Sequence, residues 1–215
     1  MTRLARNRST HLTREEIAAE ALRQFTGGDR EPTMRSLAEA LGAAPSAIYH
    51  HYDSREQIFD AAVDIVWEEA TAETLRLVPK PLEEPPTKVL VAVGIATRRA
   101  WLEHNRLAPY MAASPAPTEF TRNALELMKN LFGRLDLEPG MLDSAFHSYS
   151  SFMIGAVLFA AARKTADERL GRDAIAWEEG SLGQLSGISS TDPARDEKLF
   201  AIGLERLIAS FEIKR

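Results

Sequence analysis

The chain lacks several features that would narrow its chemistry. It has no cysteine in 215 residues, which excludes disulfides and thiolate metal sites. It has no uninterrupted apolar run of the roughly 18 residues that a membrane span needs, so no membrane partner is expected. No glycine-rich phosphate loop, zinc-type HExxH or GxSxG nucleophile elbow occurs. His147 and Ser151 are neighbours on one helical turn rather than a catalytic pair. An enzyme is therefore not expected, and neither is a cofactor or a metal. Net charge is −5, so no basic surface covers the whole molecule. Met1–Arg14 is the exception: it carries Arg3, Arg6, Arg8 and Arg14 and no acid. It also lacks the apolar stretch of a secretory signal, and a cytoplasmic protein is expected. Such an arm suggests contact with a polyanion, although a solvated tail would look the same.

What is present is helical. "TREE", Thr13–Glu16, is a capping box, and Ile17, Ala18, Ala21, Leu22 and Phe25 follow on one stripe. Thr33 can cap a second helix with Leu37, Ala38 and Leu41 inward, closed by Gly42 in the left-handed conformation. Pro45 suits the first turn of a third, whose inner face is Ile48 and Tyr52. "SREQ", Ser54–Gln57, opens a fourth that runs to about Leu77. After the proline-rich break at Val78–Pro86 come a helix from Thr87 to near His104, a short helix, one from about Glu119 to Leu135, a long apolar one through Phe146 and Leu158, and a last one opened by Asp192-Pro193. No strand alternation and no internal repeat is found. The chain reads as all-α, about nine helices: a small helical domain over 1–60 and a larger bundle over 61–215.

Three short helices, the last two joined by a glycine turn, make a helix-turn-helix arrangement, in which the third helix enters the DNA major groove. The outward positions of that helix are Pro45, Ser46, Ala47, Tyr49, His50 and His51, with no acid to repel phosphate. Ser46 and His50 can bond base edges, and Ala47 can touch thymine methyls. Tyr49 and His51 are placed for phosphates, and Thr33, Arg35 and Arg55 can flank the groove. One more helical hairpin of a bundle remains compatible with the same residues.

The segment "TMRSLAEALGAAPSAIYHHYDSREQIFDA" resembles the signature of the tetracycline-repressor (TetR) family of one-component bacterial regulators. Leu37, Ala38, Leu41, Gly42, Ile48, Tyr49, His51, Tyr52 and Arg55 carry the match. Ala44 departs from the usual serine or threonine and leaves the third helix without a capping side chain, a loss of about 0.5–2 kcal/mol. The resemblance implies a homodimer on a palindromic double-stranded DNA operator, the two third helices roughly 34–36 Å apart or somewhat more, with Arg3, Arg6 and Arg8 reaching a minor groove. A repressor released from its operator by a small effector is expected; an activator of the same fold and a protein-binding bundle without DNA contact are the alternatives.

The second domain is similar to that of the tetracycline-binding members. That similarity implies a dimer interface built from the long and last helices, here Gly155, Ala156, Ala160, Gly203, Leu204, Leu207 and Phe211. Tetracycline's magnesium-binding histidine and acid are matched by Met111 and Phe159, and its drug-binding asparagine by Val93. None of the three can serve, and magnesium needs oxygen ligands. The implied pocket is thus largely apolar: Trp67, Thr71, Val93, Thr97, Met111, Phe146, Ser150 and Phe159, for a small, ring-containing, weakly polar effector.

Overall fold

The computed structural model describes residues 12–27, 31–111, 118–170 and 192–212, and the side chains of 111, 119 and 165–170 are outside the description. Nine α-helices are found among the described residues: α1 (Arg14–Gly27), α2 (Met34–Ala40), α3 (Pro45–Tyr49), α4 (Arg55–Leu77), α5 (Pro86–Glu103), α6 (Ala108–Met111), α7 (Glu119–Gly133), α8 (Leu142–Leu170) and α9 (Pro193–Ala209). A 3-10 turn, Asn105–Leu107, joins α5 to α6. The only extended pairing described is an isolated bridge between Leu137 and Glu212. Residue contacts divide the chain into two compact units, Met1–Ala62 and Val63–Arg215, and the boundary falls inside α4.

Local chemistry sets the helix ends of the first unit. The Thr13 box closes both ways: Thr13 N–H donates to Glu16 Oε2 at 2.9 Å, and Glu16 N–H to Thr13 Oγ1 at 3.2 Å. Thr33 and Ser36 form a second box at the start of α2. Gly42, at φ +64°, turns the chain into α3 in a region that side chains avoid. Ala44 caps α3 with backbone alone, and Pro45 follows at its first position. At α4, Ser54 accepts from Gln57 N–H at 3.3 Å, while the Gln57 side chain reaches Asp53 N–H at 3.1 Å rather than Ser54. Ile17, Leu22, Phe25, Leu37, Ile48 and Ile58 fill this small core.

In the second unit α5 is the shaft on which the other helices pack. Its Leu90 carbonyl accepts a 2.8 Å bond from the buried Tyr149 hydroxyl of α8, whose ionisation burial pushes well up from the ordinary tyrosine range. A Cβ on Gly94 would overlap the Leu204 side chain of α9 and come within 3.2 Å of Met153 Sδ. One turn on, buried Arg98 is paired with Asp196. Arg99 clasps Glu197 through Nε at 2.8 Å and Nη2 at 2.7 Å, and donates from Nη1 to Glu73 of α4 at 2.8 Å. The hydrogen bonds from Arg99 hold the Glu197 carboxyl below the usual carboxylate range, with burial acting against them.

Leu142–Lys164, with mean hydropathy 1.4, is long and apolar enough to cross a membrane by length and composition, although only 28% of that window is buried inside the chain. Scattered serines break its apolar run but not its average.

Two consequences are measurable. Gly94→Ala should destabilise by about 1–2 kcal/mol in urea melts, because overpacking of about 1–3 kcal/mol outweighs the helix propensity that alanine returns, about 1 kcal/mol. Glu197 titrates at the ordinary glutamate value when unfolded and lower when folded, so its clasp stabilises above the ordinary value and is lost as pH falls through the folded one. The gap in melting temperature between wild type and Glu197→Gln should therefore be open at neutral pH and close in acid below the ordinary glutamate range.

Candidate nucleic-acid interface and effector site

The outward face of α3 follows from what its inward face needs. Ile48 and Tyr52 are fully buried, although Tyr52 lies in the turn beyond the helix rather than on it. The Tyr52 hydroxyl donates to the Arg14 carbonyl at 2.9 Å, and the Arg14 guanidinium stacks 4.2 Å from the Tyr52 ring centre while donating to the His51 carbonyl. Three groups from opposite ends of the unit thereby fix the turn. With Tyr52 locked inward, Pro45, Ser46, Tyr49 and His50 are exposed, Tyr49 by 54%, and Ala47 and His51 are half-buried. The His50 and His51 rings meet edge to face at 6.2 Å, which leaves them without the convergence a shared ion would need.

The flanking residues divide. Arg35 is exposed at the start of α2. Thr33 is exposed, but its hydroxyl is occupied in capping, accepting from Ser36 N–H at 3.1 Å. Arg55 is not a free phosphate ligand: it is paired with Glu31 and lies 4.5 Å over the Phe59 ring. Any phosphate contact must therefore compete with that carboxylate. Arg6 lies outside the described residues.

The residues expected around an effector are only partly brought together. Trp67 of α4 meets Trp101 of α5 edge to face at 5.4 Å, and Thr97 is buried one turn before Trp101 on the same side of α5. Near them the His104 imidazole and the Glu69 carboxylate share a 2.8 Å hydrogen bond between α5 and α4. Val93 and Ser150 are half-buried. Thr71 is exposed and its hydroxyl donates to the Trp67 carbonyl at 2.9 Å. Phe146 packs edge-on against Phe132 at 5.6 Å, inside the α7–α8 core. Phe159 does not line an interior site: it is 53% exposed. The buried stripe of α8 is Ala145, Tyr149, Met153, Val157 and Ala161, every fourth residue, and Phe159 falls outside it. The Met111 side chain lies outside the description. Thr118 is a tie that the sequence reading missed: its hydroxyl donates to Asp64 of α4 at 2.7 Å and accepts from Thr121 N–H at 3.1 Å to cap α7.

The expected dimer residues also sort by burial. Leu204 is fully buried in its own chain, because Phe200, Leu204 and Ile208 form the inward stripe of α9. Leu204 is therefore core rather than interface. Gly203 faces the Phe152 ring of its own α8, 3.2 Å from where a Cβ would stand, and Phe211 packs near Phe132 at 6.3 Å. Ala156, Ala160 and Leu207 are half-buried. Gly155 is open: a Cβ there would meet nothing within 4 Å. Gly155 and Phe159, with Ser151 one turn before and Ala162 one after, make an exposed stripe of small and apolar groups, and Leu199 of α9 is exposed as well.

Comparison with known proteins agrees with this geometry. Residues 17–62 match the family model described as bacterial regulatory proteins, tetR family. Over 212 residues the chain is 27% identical to an HTH-type transcriptional regulator of Saccharopolyspora erythraea, covering 92% of this chain and 84% of that one. It is similar to the crystal structure of TetR from Acinetobacter baumannii AYE, with 25% identity, TM-score 0.66, and coverage of 91% and 94% of the two chains. It is similar also to the Streptomyces coelicolor TetR family protein ActR, determined in complex with actinorhodin, with 23% identity, TM-score 0.68, and coverage of 94% and 96%. Residues 17–62 thus fit the model of the tetR family of bacterial regulatory proteins, and the full chain is similar in fold to TetR family structures.

Proposed function

We infer that the protein is a homodimeric repressor that reads a palindromic operator through α3 and leaves it when a small, largely apolar effector enters the second unit. One observation carries the DNA-reading part: an exposed surface from Pro45 to His51 without any acid, whose orientation is fixed by the burial of Tyr52. Hydroxyl, imidazole and methyl groups on such a face suit base edges and phosphates. The dimer rests on the exposed stripe around Gly155 and Phe159. An apolar helix left mostly uncovered in one chain needs a cover, and small residues let a second helix approach closely. A second copy supplies that cover and also the second half-site. For the effector, ActR in complex with actinorhodin offers a precedent for a small molecule on this fold. The contact of Trp67 with Trp101 supports a site between α4 and α5.

Two experiments test it. Fragments selected from random DNA serve as the operator in fluorescence anisotropy. Tyr49→Ala should weaken binding by about tenfold or more, the value of one to two lost contacts, with melting temperature unchanged. Undiminished affinity would remove α3 from the groove. In sedimentation equilibrium the wild type should be a dimer without detergent and Gly155→Glu a monomer, since a carboxylate would be buried unpaired in the interface. A monomeric wild type, or one that needs detergent to stay in solution, would replace the second copy with another cover.

A further inference from the structure

Among the described residues Trp101 is the largest fully buried side chain, and its indole Nε1 has no hydrogen-bond partner there. The other orphan atom among the described residues, Arg55 Nε, belongs to a guanidinium that Glu31 already engages. Trp101 has no such compensation. An indole N–H can only donate, so what is missing is an acceptor. Buried donors in native proteins are rarely left in this state without a reason. Trp67 stands edge-on beside it, half-buried on α4, and the Nε2 atom of His104, the polar ring three residues on, is engaged with Glu69.

We propose that Trp101 Nε1–H is the specificity-determining donor of the effector site, and that the effector is a neutral ring compound bearing a carbonyl-type oxygen. This rests on the reading that an effector enters between α4 and α5. The two indoles supply aromatic walls for a flat molecule. The ligand is neutral because Asp64, Glu69 and Glu73 along the adjoining part of α4 would repel an anion, while a cation finds no acceptor in the indole N–H. The oxygen reaches Nε1 as the Trp67 ring gives way, so recognition and displacement of an α4 side chain are one event. A hydrocarbon of the same shape leaves the donor unpaired and gains only ring contact.

The probes are 9-fluorenone and fluorene, which share a ring skeleton and differ by the carbonyl. By calorimetry on the full chain, fluorenone should bind the wild type about tenfold more tightly than fluorene, the worth of one buried hydrogen bond. Trp101→Phe should bind both equally. The chain has three tryptophans, so a 15N-labelled sample gives three indole signals. The one absent from Trp101→Phe should move downfield with fluorenone and stay with fluorene. Should Trp101→Phe not fold, Trp67→Phe and Trp177→Phe identify the same signal by elimination. Equal affinities in the wild type, discrimination that survives in Trp101→Phe, an unmoved indole signal, or no fluorenone binding up to its solubility limit would each overturn the proposal. Release of operator DNA by a compound without any acceptor would overturn it too, while leaving the ligand-responsive regulator standing.

Discussion

At Gly94 the backbone of α5 meets the Leu204 side chain of α9 with no Cβ between them. Much of the second unit depends on that approach. It brings Arg98 and Arg99, on the next turn, within reach of Asp196 and Glu197 at the start of α9. It also leaves Leu90 beneath the Tyr149 hydroxyl of α8. Three helices are thereby locked by one bare position, one buried hydrogen bond and one cluster of ion pairs. The order of importance follows from burial. Leu204 and Tyr149 are sealed from water, whereas the Arg99 pairs are partly exposed and screened.

The first unit uses a different lock for a similar purpose. Its core is too small to fix a five-residue helix by apolar area alone. Tyr52 adds a hydroxyl bond to the Arg14 carbonyl, and Arg14 returns a bond to the His51 carbonyl and lies over the tyrosine ring. The start of α1 is thus tied to the turn after α3. That circuit also consumes Arg14, and Glu31 engages Arg55, so two of the cations nearest α3 are committed to the fold. Arg35, by contrast, is exposed at the start of α2.

What the sequence made legible is what short-range chemistry decides. Capping boxes, the left-handed Gly42 and the inward pair Ile48 and Tyr52 need only a few neighbouring residues to specify them. Burial on α8 and α9 was legible less well. α8 is apolar on nearly every side, so its pattern contains no contrast by which Phe159 could be told from Val157. Only packing reveals that every fourth residue from Ala145 turns inward and that Phe159 does not. Leu204 errs the other way: the family's dimer helix suggested interface, while its stripe on α9 runs through Phe200 and Ile208 into the core. Arg55 matched the family signature as an expected phosphate contact, but its partner Glu31 stands 24 residues away in sequence. Nothing local announces such a pair, and the same holds for Thr118 with Asp64.

The two kinds of tie in the second unit have unequal consequences for motion. α5, α8 and α9 share large buried side chains, among them Tyr149, Met153, Phe200 and Leu204, each removable only at several kcal/mol, on the order of 2–5 by core-truncation magnitudes. The part of α4 in this unit buries smaller ones, Val66, Ala70 and Thr74, at every fourth position. Its remaining ties are the edge-to-face contact of Trp67 with Trp101 and three polar ones, Asp64 to Thr118, Glu69 to His104 and Glu73 to Arg99. Partly exposed pairs of this kind contribute about 0–1 kcal/mol each. A coupling energy of about 1–3 kcal/mol, the usual size for a regulated protein, is therefore comparable with the sum of those ties and far below the cost of disturbing the α5–α8–α9 core. α4 is the helix in which the first unit ends and the second begins. Among the described helices of the second unit, α4 is thus the least costly to displace.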